Sequence, residues 1–298
     1  MTSEELLQKV RKIEIKTHGL SRNIFAGEYH SQFKGRGMAF SEVREYQPGD
    51  DVRAIDWNVT ARMNRPYVKI YEEERELTVM LLVDVSGSRN FGTMSQFKRD
   101  TMAEVAATLA FSTIENNDKV GVIFFSDRIE KFIPPKKGKS HVLHIIRELL
   151  SFEPESNGTD INAALEFLTN AQKRRCTAFL VSDFMDPNFV AESQKSKSKS
   201  GVAPVVIAAR KHDLNTIQIY DRRDAEMPNV GLLKVRDPET GARVWADTSM
   251  VSVRNSHARA WRDQQDALET IYTKTGIHNI SIRTDEDYVK ALMRLFKQ

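Results

Sequence analysis

The sequence predicts an α/β protein with a mostly parallel sheet, preceded by a module that is irregular and β-containing. Three observations carry this. Residues 77–83 are an almost unbroken apolar run rich in Val and Leu, as in a strand buried on both faces, and the run closes on Asp84. Further apolar runs at 119–126 and 176–181 alternate with stretches of helical spacing, and strand–helix alternation builds parallel sheets. Residues 19–65, by contrast, are polar and punctuated by Gly27, Gly35, Gly37 and Gly49. The expected division is a module at 1–76 and an α/β domain at 77–298.

In chain order, residues 3–12 read as a short amphipathic helix with Ser3 as N-cap and Leu6, Leu7 and Val10 on one face. Gln47-Pro48-Gly49-Asp50 is a turn signal, and the alternation in 67–71 predicts a strand. Residues 95–116 carry Met102, Val105, Ala106, Leu109 and Ala110 at helical spacing. Residues 119–126 form a second buried strand. Residues 129–133 follow through so short a connection that they pair with it antiparallel. Residues 140–150 are a helix, and Thr159 or Asp160 N-caps another.

Beyond the strand at 176–181, residues 195–200 alternate Lys and Ser as a solvated segment. Residues 202–211 fit helix or strand, and Pro204 in a first turn favours helix, followed by a strand at 216–220. Residues 231–235 and 242–245 flank Asp237-Pro238-Glu239-Thr240-Gly241 as a hairpin, an insertion near 228–247. A helix at 256–275, a strand at 277–282 and a helix at 286–296 complete the chain.

Composition narrows the function. With 40% apolar and 29% charged residues in 298, the chain is an ordinary globular protein with a sizeable core. Its net charge of +3, from 44 basic and 41 acidic residues, lacks the clustered excess of a dedicated nucleic-acid binder. A basic patch of Lys136, Lys137, Lys139 and the 195–199 lysines is the weaker alternative. The single cysteine, Cys176, permits no internal disulfide, points to a reducing compartment and reads as a core thiol. There is no signal-peptide core and no apolar run of about 18 residues, so a cytoplasmic location without a membrane span is expected.

The chemistry-bearing residues stand at strand ends. Asp84-x-Ser86-x-Ser88 follows the first core strand, Thr159 lies in the Gly158 loop, and Asp183 follows the strand at 176–181. All five side chains offer oxygen only, which suits a hard cation such as Mg²⁺ or Mn²⁺. Alternation in an extended segment puts Asp84, Ser86 and Ser88 on one side. The competing account has Ser86 and Ser88 capping the next helix while Asp84 and Asp183 bond loop amides.

These residues resemble the metal-ion-dependent adhesion site of von Willebrand factor A domains, and the element order from Leu77 onward is similar to that doubly wound, Rossmann-type fold. The module adds Gly35-Arg36-Gly37-Met38-Ala39-Phe40, Arg44-Glu45-Tyr46, Pro48-Gly49-Asp50-Asp51-Val52-Arg53, Ile55-Asp56-Trp57, Thr60-Ala61-Arg62 and Val68-Lys69. Together, over roughly residues 20–298, these resemble a bacterial domain-of-unknown-function family of A-domain proteins associated with MoxR-type AAA+ ATPases. The resemblance implies a non-catalytic adaptor. It would work with such an ATPase and further A-domain proteins, and its metal ion would take an acidic residue of a client. Two departures stand out. Arg89 follows Ser88 where such sites often carry Met, and a cation there opposes a metal ion unless it points away. Ser182-Asp183-Phe184 replaces the commoner Thr-Asp-Gly.

The alternative is a Mg²⁺-dependent phosphoryl-transfer or hydrolytic enzyme with Asp84 as nucleophile. Gly138-Lys139-Ser140 imitates a P-loop end, but Ile133 stands where its first Gly belongs. His141 and His144 lack a third zinc ligand. In the Arg44–Trp57 clusters, Trp57 is expected in the core, with Arg53 and Asp56 stapling the module to the A domain; a partner-binding surface is the alternative.

Overall fold

The computed structural model describes residues 39–72, 77–92, 97–194, 202–236 and 241–296, so the helix expected at 3–12, the Gly35–Met38 motif and the 195–200 run lie outside the described residues. The chain divides at Thr78 into two units, each considered by itself.

In the first unit, β1 (Ala39–Glu45) pairs antiparallel with β2 (Tyr67–Glu72), with an irregularity between Phe40 and Glu42. Between them run a 3₁₀ turn at Val52–Ala54 and a helix, α1 (Trp57–Met63), in a module expected to be irregular and β-containing. Asp56 caps α1 by accepting from the amides of Asn58 and Val59, and it pairs with Lys69 at 3.4 Å. Arg44 grips Asp50 through both carboxylate oxygens at 2.9 and 2.7 Å, closing the Pro48-Gly49 turn. Trp57 is 68% exposed, so its expected place in the core is corrected: as the first residue of an exposed helical turn it projects outward. Within this unit Asp56 serves the cap and the Lys69 pair.

The second unit opens with β3 (Thr78–Asp84), buried along almost its whole length as its composition demands. It continues through α2 (Lys98–Glu115), β4 (Lys119–Phe125), β5 (Ile129–Lys136), α3 (Lys139–Ser151), α4 (Ile161–Ala171) and β6 (Thr177–Ser182). Next come α5 (Pro187–Gln194), α6 (Pro204–Lys211), β7 (Asp213–Tyr220) and the short α7 (Arg222–Ala225). The hairpin β8 (Leu232–Arg236) and β9 (Arg243–Asp247), then α8 (Val251–Thr275), β10 (His278–Arg283) and α9 (Tyr288–Leu295), complete it. Of these, α5 and α7 had no expected counterpart, and α8 begins earlier than its expected start at 256.

The sheet order is β10-β7-β6-β3-β4-β5, parallel except for β5, which pairs antiparallel with β4 as its short connection requires. As an edge strand β5 tolerates Pro134 and Pro135. Alternate β3 residues serve two faces. Met80 and Leu82 join Phe125, Leu180, Leu165, Ala208, Leu268 and Ile271 in one core. Val79, Leu81 and Val83 turn to the other face, where α2 packs with α3. Each such Val or Leu contributes about 1.5–3 kcal/mol of burial. The chain leaves β3 for its neighbours on one side and reaches β6 on the other, so the sheet's topological switch lies between the C-terminal ends of β3 and β6.

Candidate functional site

Asp84 ends β3 and Asp183 follows β6, so the fold places the two acids on either side of that switch. Both are buried, at 1% exposure. Strand pairing continues one residue past Asp84, through the Val85 amide to the Phe125 carbonyl at 2.8 Å, before the chain turns. The Ser86 amide then donates to Asp84 Oδ1 at 2.9 Å, and Gly87–Asn90 curl into a 3₁₀ turn. This brings Ser86 Oγ and Ser88 Oγ within 3.0 Å of each other, both buried. The side chain of Ser86 makes no capping bond to that turn, whereas Asp84 and Asp183 each accept from a loop amide, Ser86 and Met185 in turn, as the competing account has them.

Asp84 Oδ2 accepts from Ser182 Oγ at 2.6 Å, and the same oxygen of Ser182 accepts from the Phe184 amide at 3.0 Å. Asp183 uses Oδ1 to accept from the Met185 amide at 3.1 Å and Oδ2 to accept from Lys98 Nζ at 3.0 Å. Thr159 is half-buried in the loop before α4. The Gly87 amide donates to the Asn157 carbonyl at 2.9 Å, and the Asp160 amide to the Ser126 carbonyl at 2.8 Å, so that loop is stitched to the ends of β3 and β4 on both sides of Thr159. Of the five expected site residues, the bonds join Asp84, Ser86 and Ser88 directly, Asp183 through its neighbour Ser182, and Thr159 through its loop.

The electrostatics follow from burial. Burial pushes the Asp84 carboxyl up to about 7, the charge of Asp183 adds to it, and the bonds from Ser182 and Ser86 pull the other way. Burial alone would lower the Lys98 ammonium, but Asp183 and Asp224 outweigh it and hold it up at about 12. Arg89 is buried, yet its Nη2 donates to the Phe152 carbonyl at 2.8 Å, which aims the guanidinium at the end of α3. Phe184, in the place of the usual glycine, takes a left-handed φ of 58°. That conformation costs a bulky residue about 1–2 kcal/mol, offset by a fully buried ring that meets Tyr272 edge-on.

Does this donor set suit a hard cation? Among the described residues no group of three or more His, Cys, Asp or Glu is arranged to hold a metal, so hydroxyls must complete any shell. Two oxygens sharing an octahedral shell of radius about 2.1 Å lie about 3 Å apart along an edge. The Ser86 and Ser88 hydroxyls, hydrogen-bonded to each other at 3.0 Å, are compatible with that spacing. Two carboxylates and two or three neutral hydroxyls suit Mg²⁺ or Mn²⁺ in charge and hardness.

Three residues of this region escaped the sequence reading. Lys98 carries the one available signal, a cation in a helix's first turn, where only a nearby anion favours it. Asp224 joins it from α7 at 2.8 Å. Asp186, 1% exposed, accepts from the Ile161 amide at 3.0 Å and from the Asn188 and Phe189 amides at 2.9 and 3.2 Å. It thus caps α4 and α5 together. Asp186-Pro187 is a readable cap-and-Pro start for α5, but its reach to α4 is purely tertiary. Elsewhere, Cys176 is the buried thiol expected, 3.2 Å from His212 Nδ1. Among the described residues no helix is long and apolar enough to cross a membrane.

The chain is 28% identical over 292 residues to the uncharacterized protein Mb1516 of Mycobacterium bovis, spanning 97% of this chain and 88% of that relative. In structure it is similar to the conserved hypothetical protein BatB of Bacteroides thetaiotaomicron, with a TM-score of 0.47 and 14% identity over 74% of this chain and 97% of that one. It is also similar to the SpRpn10 VWA domain, with a TM-score of 0.37 and 11% identity over 74% and 94% of the two chains. The family pattern described as "Protein of unknown function DUF58" matches residues 42–267, and the chain belongs to that family.

Proposed function

We propose that this chain is a non-catalytic, cytoplasmic interaction adaptor whose strand ends hold Mg²⁺ or Mn²⁺ and, through it, an acidic residue of a partner. Asp84, Ser86, Ser88, Thr159 and Asp183 are the residues assigned to the ion, directly or through water. The observation that carries the reading is the Ser86–Ser88 hydroxyl pair at 3.0 Å, beside an Asp84 whose carboxylate is oriented on both oxygens. A position left open in the shell is where a partner's carboxylate would enter. The resemblance of its motifs to the MoxR-associated family implies a MoxR-type AAA+ ATPase as partner, with other A-domain proteins, and ATP hydrolysis by that ATPase would supply the work of maturing or remodelling protein complexes.

Calorimetric titration of Mg²⁺ or Mn²⁺ into wild type and into Asp84→Ala/Ser86→Ala tests the ion. Binding by the wild type alone is expected, and indistinguishable, metal-independent behaviour of the two sinks the reading. Pull-down of a MoxR-type ATPase with and without the cation tests the partner. Mg²⁺-dependent phosphatase turnover that is abolished by Asp84→Ala would replace the adaptor by an enzyme.

A further inference from the structure

The site contains a cation of its own. Lys98 is 2% exposed, and its ammonium bridges Asp183 Oδ2 at 3.0 Å and Asp224 Oδ2 at 2.8 Å. The ring of Phe91 covers it, with Nζ 5.6 Å from the centroid. Three features distinguish this from an ordinary ion pair. It is shielded from solvent, so salt screens it little. It stands at the N-terminus of an 18-residue helix, whose dipole opposes it, so the carboxylates hold it there against a cost. One of those carboxylates belongs to the strand end assigned to the metal, whereas the other belongs to α7, where Asp224 Oδ2 also accepts from the Asp221 amide at 2.8 Å.

We propose that the Lys98 ammonium is an internal counter-cation that sets the divalent-ion affinity of the strand-end site, with Asp224 drawing part of that charge away from Asp183. This rests on the reading that the strand ends hold a divalent ion. The physical ground is simple: an ammonium on a ligating carboxylate repels an incoming cation and occupies one of its oxygens, Asp183 Oδ2. Asp224 offsets this in two ways. It adds a negative charge nearby, and it shares the ammonium. Removing Lys98 therefore tightens metal binding, and neutralising Asp224 weakens it. A merely structural lysine, needed to orient Asp183, predicts the opposite for the first change.

The test is calorimetric titration of Mn²⁺ into the metal-stripped full chain as wild type, Lys98→Met and Asp224→Asn, with circular dichroism to check folding. Removing a buried unit charge a few ångströms from the ion is expected to tighten binding by about tenfold or more in Lys98→Met, and Asp224→Asn to loosen it by about threefold or more. A folded Lys98→Met that binds Mn²⁺ as the wild type does, or more weakly, overturns the proposal while leaving the functional reading intact. Should Lys98→Met fail to fold, Asp224→Asn decides: looser binding supports the proposal, and equal or tighter binding overturns it. Binding by Lys98→Met with none by wild type supports the counter-cation and corrects the functional reading. No binding by any of the three overturns both.

Discussion

Ser182 Oγ donates to Asp84 Oδ2 at 2.6 Å, tying the end of β6 to the end of β3 across the sheet's switch point. The two strands are adjacent and parallel, so residues distant in sequence meet at one end of the sheet. Ser182 also accepts from the Phe184 amide, so one hydroxyl orients Asp84 and holds the turn that presents Asp183.

Ser182→Ala is therefore expected to cost more than an average buried hydroxyl. It leaves a buried carboxylate short of its closest donor and an amide without its acceptor, a loss of about 2–3 kcal/mol. Urea unfolding at neutral pH measures it, and a change below about 0.5 kcal/mol would mean that the bond does not form in solution.

His212 gives a pH signature. It is fully buried, and burial first, then the charges of Lys211 and Arg175, lower its pKa from 6.5 to about 4. The unfolded chain thus takes up a proton that the folded chain refuses. The stability this involves is complete above pH 6.5, falls as pH drops towards 4 and is level below that. Between pH 7 and 5 the loss is about 2 kcal/mol. The difference in unfolding free energy between wild type and His212→Gln should shift by that amount over the interval, against the wild type at low pH. A difference independent of pH would refute it.

Asp186→Ala leaves three amides at two helix starts without their shared acceptor at once. A single cap is worth about 1 kcal/mol, and a shared, buried one should cost about 2–3 kcal/mol. Thermal melting checks this. Amide exchange should also quicken at Ile161, Asn188 and Phe189 together.

Trp57→Ala separates a surface tryptophan from a core one. At 68% exposure its removal should change unfolding free energy by about 0.5 kcal/mol or less, whereas a core tryptophan costs about 3–5 kcal/mol. Chemical denaturation distinguishes the two values.

Local pattern determined most of the architecture of this protein. The apolar run at 77–83 could satisfy its backbone and bury its side chains only inside a sheet, and the brief link from 126 to 129 admitted only an antiparallel partner. The helices, the hairpin and the candidate oxygen donors at the strand ends were legible for the same reason: period, turn chemistry and residue type act over a few residues. Trp57 misled because a large aromatic is read as core by its type, while its burial depends on what the rest of the chain brings against it. Short helices such as α5 and α7 carry too few turns to show a period, and their caps were the only trace.

What only the tertiary structure decided is the company each site residue keeps. The sheet order sets Asp84 beside Ser182 and Asp183, and the Arg89 guanidinium is turned to the Phe152 carbonyl. It also carries Lys98 from the start of α2 to Asp183 and Asp224, on two other elements. Charge in a dry site is felt through space, so its partners are chosen by how strands are ordered and not by how residues are spaced along the chain.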